Sequence, residues 1–226
     1  DFEPELIIAL HAVFPRVSIQ LCAFHFFNSV YQHIQKCSLI TMYRDPAKKW
    51  CLKGCMALAL IDPAEVYDYF EALSEEGLAS VPTASHADLS KFYDYFETTY
   101  LGKTVNGNRS QPTYGVDQWN VYSRVLNNQQ IGTSIQEGYN PSLKLVTASS
   151  SAQFVAAQLF GHQKDYETKR TSAALRNMTI DQLYPQSLCV AAEHRRRKQA
   201  VGNGRRAGHS AIDHLNVLST YIKVEV

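Results

Sequence analysis

Cys22 and His25 stand three positions apart, a C-x-x-H spacing that makes half of a tetrahedral zinc site. Cys51 and Cys55, one helical turn apart, could supply the other half. The plainer reading is a small buried thiol at a strand end and a histidine satisfied by a backbone carbonyl. Cys37, Cys51, Cys55 and Cys189 show no recurring four-ligand spacing and read as buried thiols. Asp1 begins the chain directly before a helix-like run, and taken alone it reads as an acidic residue that favours the helix dipole. A basic run, Arg195, Arg196, Arg197, Lys198, Arg205 and Arg206, reads either as a solvated charge run or as a phosphate-contacting or nuclear-import patch. No P-loop, GxGxxG or GxSxG occurs, so nucleotide-binding and serine-hydrolase readings have no support.

The elements that must position these residues follow from periodicity. Leu6, Ile7, Leu10, Val13 and Phe14 recur at helical spacing, and Pro15 ends that helix. Val17, Ile19 and Leu21 alternate with Ser18, Gln20 and Cys22, which predicts a half-buried strand. Phe26, Phe27, Val30, Tyr31 and Ile34 return to helical period. Residues 38–100 read as all-helical: one helix over 48–61, a second after Pro63 with Asp62 as its cap, and a third over 88–100. Residues 77–85 read as a connection and residues 102–114 as a loop. A helix is predicted over 116–126 with Trp119 inward, another over 141–160, and a short closing helix over 212–222. The aromatic residues sit at core spacing and are read as packing.

With 226 residues, the chain can bury a substantial core. A net charge of +1 does not advertise nucleic-acid binding in bulk; the signal is the clustering of arginine near the end. No run is apolar and long enough for a membrane span, and the start lacks a signal-peptide pattern. Five cysteines at irregular spacings point to a reducing compartment. The chain does not begin with Met, so its true N-terminus is expected upstream.

Read in order, several segments resemble the transposase domain of Mutator-like elements. Asp1-Phe2-Glu3, Val13-Phe14-Pro15 and Cys22-Ala23-Phe24-His25 are similar to its "D-x-E … FP … C-x-x-H" block. Tyr43-Arg44 with the stretch from Met56 to Val66 resembles its "alAfvPpedV" helix pair. Residues 94–102 look like its "yFe.tYiG" segment, and residues 119–127 like its "lWNvydrvln" helix. Glu137-Gly138-Tyr139-Asn140 and Pro141-Ser142-Leu143 fall where the family has "EGfN" and "HPSlw". Six pieces in order weigh more than any one of them.

The resemblance implies a ribonuclease H-like core. In such enzymes two Asp and one Glu hold two divalent metals that clamp the attacking and leaving oxygens of a phosphodiester. Mg²⁺ or Mn²⁺ is the implied cofactor, since hard cations take carboxylate oxygens. Asp1 matches the second Asp and Glu137 the Glu; the first Asp would precede this chain. The expected class is therefore α/β, mostly helical, with a partial ribonuclease H-like core. Residues 1–37 would be its second half, 38–118 an α-helical insertion, 119–160 a Glu-bearing return, and 161–226 a polar and basic tail with a short helix. Cys22 and His25 become structural residues beside the site, with zinc the alternative. The segment before Glu137, Ile131-Gly132-Thr133-Ser134, departs from the family's Arg-Thr-Asn-Asn, and a stretch between Asn140 and Pro141 is missing. The chain as given is expected to be inactive alone. Implied partners are DNA, both transposon ends and target, with a homo-oligomer as an open option and no membrane; the implied location is nuclear. A domesticated DNA-binding or regulatory protein without catalysis, or a non-functional remnant, are the alternative readings.

Overall fold

The computed structural model describes residues 4–105, 107–132, 160–161, 164, 167–168, 171, 187–204, 208–222 and 224. The chain divides into two compact units. One comprises residues 1–132 and 197–226, the other residues 133–196.

The first unit is mostly helical. Its helices are α1 (Pro4–Val13), α2 (Ala23–Lys36), α3 (Ile40–Arg44), α4 (Trp50–Ala57), α5 (Val66–Ser80), α6 (His86–Phe96), α7 (Val116–Trp119) and α8 (Tyr122–Leu126). A last pair follows, α9 (Ser187–Gly202), which begins in the second unit, and α10 (Ala211–Ser219). No described helix is long and apolar enough to cross a membrane.

The core forms where the apolar stripes meet. Phe26, Val30 and Ile34 of α2 are fully buried, as the helical spacing requires. So are Cys51, Leu52, Cys55 and Met56 of α4, a helix buried on nearly every side. Phe92, Phe96 and Tyr100 complete an aromatic centre in which the Trp119 ring stacks on Phe26, with centroids 4.9 Å apart. The Trp119 indole N–H donates to the Tyr100 carbonyl at 3.0 Å, so its polar atom is also satisfied. Helix α10 packs against α4 and α5. Its start is fixed by a capping box: the Ser210 hydroxyl accepts the Asp213 N–H at 3.1 Å, and Asp213 takes the Ser210 N–H at 2.9 Å. On its buried face, His214 Nδ1 lies 2.9 Å from the Tyr69 hydroxyl.

Several expectations need correction. The alternating stretch 17–22 forms no ladder among the described residues. Its burial follows the alternation only at Ser18 to Leu21, since Val17 is exposed and Cys22 buried, and a strand needs a neighbour along its length, which only Leu21 has. Residues 102–114 are not simply a loop. Thr104–Val105 (β1) and Asn108–Arg109 (β2) pair antiparallel, Thr104 opposite Arg109. The turn between them carries Asn106-Gly107, with Gly107 at φ 77°, the left-handed geometry such two-residue hairpins select. Helix α5 runs to Ser80 through Gly77, so the connection expected from residue 77 begins later. Its Asp62 caps the preceding turn, accepting the Ala64 N–H at 3.0 Å. The helix expected over 48–61 is α4 followed by a 3-10 turn, Leu58–Leu60, and the one ending at residue 100 closes with a π turn, Glu97–Leu101. The expected helix over 116–126 is split at Asn120. The helix expected over 141–160 lies, but for its last residue, outside the described residues.

Candidate functional site

The C-x-x-H stretch opens α2. Cys22 is its N-cap residue, in extended conformation and 4% exposed, while His25 is half-buried one turn inside with its ring edge-on to Phe24. The approach to α2 is clamped by distant chain. The Leu21 N–H donates to the Gln118 carbonyl at 2.8 Å, and the Ala23 N–H to the Ile131 carbonyl at 2.8 Å. The Leu21 carbonyl between them accepts from Arg124 Nη2 at 2.7 Å. Arg124 Nη1 also reaches the Gln130 carbonyl at 3.4 Å. A Cβ built on Gly132 would lie 3.8 Å from Cys22 Sγ. The chain thus leaves this unit at Gly132 directly beside the C-x-x-H stretch.

Arg124 is 8% exposed, and burial pulls its guanidinium below the ordinary arginine value while nearby Cys22 acts the other way. Arginine suits this place because one planar fork reaches two carbonyls of different segments. Asn120 clamps the other side. Its amide donates to the carbonyls of Leu58 (3.2 Å) and Ile61 (2.9 Å), and its Oδ1 accepts the Tyr122 N–H at 2.9 Å. Neither residue was distinguishable in the sequence, where both read as polar positions of an ordinary helix; their partners lie far away along the chain.

The zinc alternative does not assemble from these residues. Among the described residues no group of three or more His, Cys, Asp and Glu could hold a metal ion, so Cys51 and Cys55 do not complete a site with Cys22 and His25. Cys51 and Cys55 instead lie in the α4 core, with Cys51 Sγ 3.6 Å from the Ser80 hydroxyl. Burial pushes both thiols up, the state of inert packing residues.

Asp1 and Glu137 lie outside the described residues, as do Arg205 and Arg206. Of the remaining basic residues, Arg195 and Arg196 are exposed on α9. Lys198 is half-buried, and Arg197 turns to the chain end, its Nη2 donating to the Tyr221 carbonyl at 3.0 Å. Arg197 therefore holds the α10 exit in place, whereas Arg195 and Arg196 present their charge to solvent.

No family model, no curated protein and no solved structure matches the chain.

Proposed function

We propose that the chain derives from a Mutator-like transposase, and that its ancestral work is DNA cleavage and strand transfer. The observation that supports this best is the clamp at Leu21–Ala23. In the resemblance, Glu137 must come back to the neighbourhood of the C-x-x-H block after a helical excursion of some eighty residues. The hydrogen bonds of Leu21 and Ala23 to Gln118 and Ile131 close that excursion, and Ile131 stands six positions before Glu137. In this reading residues 1–37 are the second half of a ribonuclease H-like core and 38–118 its insertion. Asp1 and Glu137 are the proposed carboxylates for Mg²⁺ or Mn²⁺, which when bound supplies the charge that stabilises oxygens at phosphorus. Arg124 and Asn120 position the returning chain, and the exposed Arg195 and Arg196 are the part of the basic run available to phosphates.

A second reading keeps DNA binding without catalysis. It is favoured by the exposed Arg195–Arg196 pair together with the altered residues Ile131-Gly132 before Glu137.

The test is incubation of the full-length protein with duplex DNA bearing terminal inverted repeats and Mg²⁺ or Mn²⁺, comparing wild type with Glu137→Gln. Strand cleavage that disappears in Glu137→Gln supports the transposase reading. Binding that weakens steeply with salt, without cleavage, supports the second. Cleavage equal in both proteins removes Glu137 from the mechanism, and no affinity at low salt sinks both readings.

A further inference from the structure

Helix α2 carries no acidic residue, and none occurs anywhere from Leu6 to Arg44, although the chain holds 21 Asp and Glu. Past its first turn, the outward positions of α2 include Asn28, Gln32, Gln35 and Lys36, which recur at helical spacing and form one stripe. Gln32, Gln35 and Lys36 are exposed, and Asn28 is half-buried. Exposed carboxylates gather instead on or beside α5, at Glu65, Asp68, Glu71, Glu75 and Glu76.

Packing against α6 adds a second cation to the stripe. The two helices run antiparallel: Phe26 meets Phe96 and, beyond it, Tyr100, His33 meets Tyr95, and Lys91 and Asp88 act on Cys37 just past the end of α2. Lys36 stands one turn beyond His33, and Lys91 one turn before Tyr95. The antiparallel packing therefore sets both lysines on the same side of the His33–Tyr95 stack, where both act on the imidazole. Both lysines are exposed. Asp88, one turn before Lys91, is the carboxylate of this neighbourhood, so two lysines stand against one carboxylate and the cluster keeps a positive charge.

We propose that the outer face of α2, together with Lys91 of α6, is a contact surface for the phosphodiester backbone of duplex DNA.

The occupant follows from the composition of the face. Lysine with asparagine, glutamine and tyrosine is the set of side chains that holds phosphate and sugar oxygens. A helix without acidic residues opposes no like charge to a polyanion, while the carboxylates of α5 repel one. From Asn28 to Lys36 the helix rises about 12 Å, and one DNA strand offers a phosphate about every 3.4 Å, so the stripe has room for several contacts. His33 adds a charge that depends on pH. The groups around it are Lys36 on its own helix and Lys91, Tyr95 and Asp88 on α6, and a phosphate beside the two lysines favours the imidazolium. The inference rests on the DNA-binding part of the reading above and assigns that binding to residues other than Arg195 and Arg196.

The experiment is fluorescence anisotropy of a labelled DNA duplex with the full-length protein over a salt series, with thermal melts to confirm that each variant is folded. Lys36→Gln with Lys91→Gln should lower affinity and reduce the salt slope by about two phosphate contacts. Gln32→Glu with Gln35→Glu removes no cation, yet should weaken binding by about tenfold or more, because it opposes carboxylates to phosphates. Wild-type affinity should rise as pH falls below about 6.5, and the rise should shrink in His33→Gln. Unchanged affinity and slope in the double-lysine variant overturn the proposal. If Arg195→Gln with Arg196→Gln weakens binding in the same assay, DNA binding itself stands. A wild type with no DNA affinity at low salt overturns both. Capture by phosphatidylserine vesicles in place of DNA overturns the proposal as well.

Discussion

Arg124 donates its guanidinium to the Leu21 carbonyl at 2.7 Å across 103 residues of chain. This bond and its neighbours join the entry of α2 to the segment that leaves the unit at Gly132. Replacing Arg124 with Met should cost about 2–3 kcal/mol, since a charged donor is lost and the Leu21 carbonyl is left buried without it. Arg124→Lys should recover little, because an ammonium cannot reach both carbonyls. Urea unfolding of the three proteins measures this; Arg124→Met within 0.5 kcal/mol of wild type, about the scatter of neutral surface changes, would show that the clamp is dispensable.

Asn120 serves three backbone groups at once. Asn120→Leu keeps the bulk and removes every bond, so a loss of about 2–4 kcal/mol is expected. If the midpoint of unfolding is unchanged, the split between α7 and α8 has another cause.

Gly77 lies inside α5 where alanine would ordinarily help a helix. Here a Cβ would come within 2.2 Å of the Tyr93 hydroxyl, which donates to the Cys51 carbonyl at 2.9 Å. Gly77→Ala should therefore destabilise by about 1–3 kcal/mol. The same change in a Tyr93→Phe background should cost less, and a double-mutant cycle of thermal melts reads the difference. Equal costs in both backgrounds would exclude the clash.

His33 stacks on Tyr95, with centroids 3.3 Å apart, and its imidazole is held below the ordinary value by burial and then by Lys36 and Lys91. The sign follows from proton binding: between the two values the unfolded chain binds more protons than the folded one. Stability should fall as pH drops below the ordinary histidine value of about 6.5 and level off beneath the lowered one. The slope in that window should be shallower in His33→Gln; an unchanged profile would assign the titration to another group.

The exposed Arg195 and Arg196 give a test of the basic run that separates it from Arg197. Arg195→Gln with Arg196→Gln should lower DNA affinity and flatten its salt dependence by about two phosphate contacts, without altering thermal stability. Arg197→Gln should do the reverse, lowering stability by about 1 kcal/mol through the lost bond to Tyr221. Fluorescence anisotropy across a salt series and melting curves distinguish the two.

Much of the helical array was legible because its apolar residues recur at local spacing. Phe26, Val30 and Ile34, or Leu89, Phe92 and Phe96, announce a buried face within a few turns. What was not legible depends on partners far along the chain. Asn120 looks helical until the carbonyls of Leu58 and Ile61 are beside it, and Arg124 looks like a surface cation until Leu21 arrives. The strand pattern of residues 17–22 described burial only from Ser18 to Leu21 and described pairing incorrectly, since alternation encodes a face and not a neighbour. The β1–β2 hairpin was legible in principle: Asn106-Gly107 is a strong turn signal that the surrounding polar residues obscured. Of the candidate site, the sequence supplied Cys22 and His25 and the order of segments, but not the clamp that gathers them.

Helix α10 covers α4, yet the two are made far apart in synthesis. Residues 58–210 must be translated after α4 is complete before its cover exists. At roughly 5–20 residues per second that interval is on the order of ten seconds. Throughout it, the nascent chain carries an almost wholly apolar helix with the face that α10 covers still open, and that face is available to chaperones and to aggregation until α10 is made.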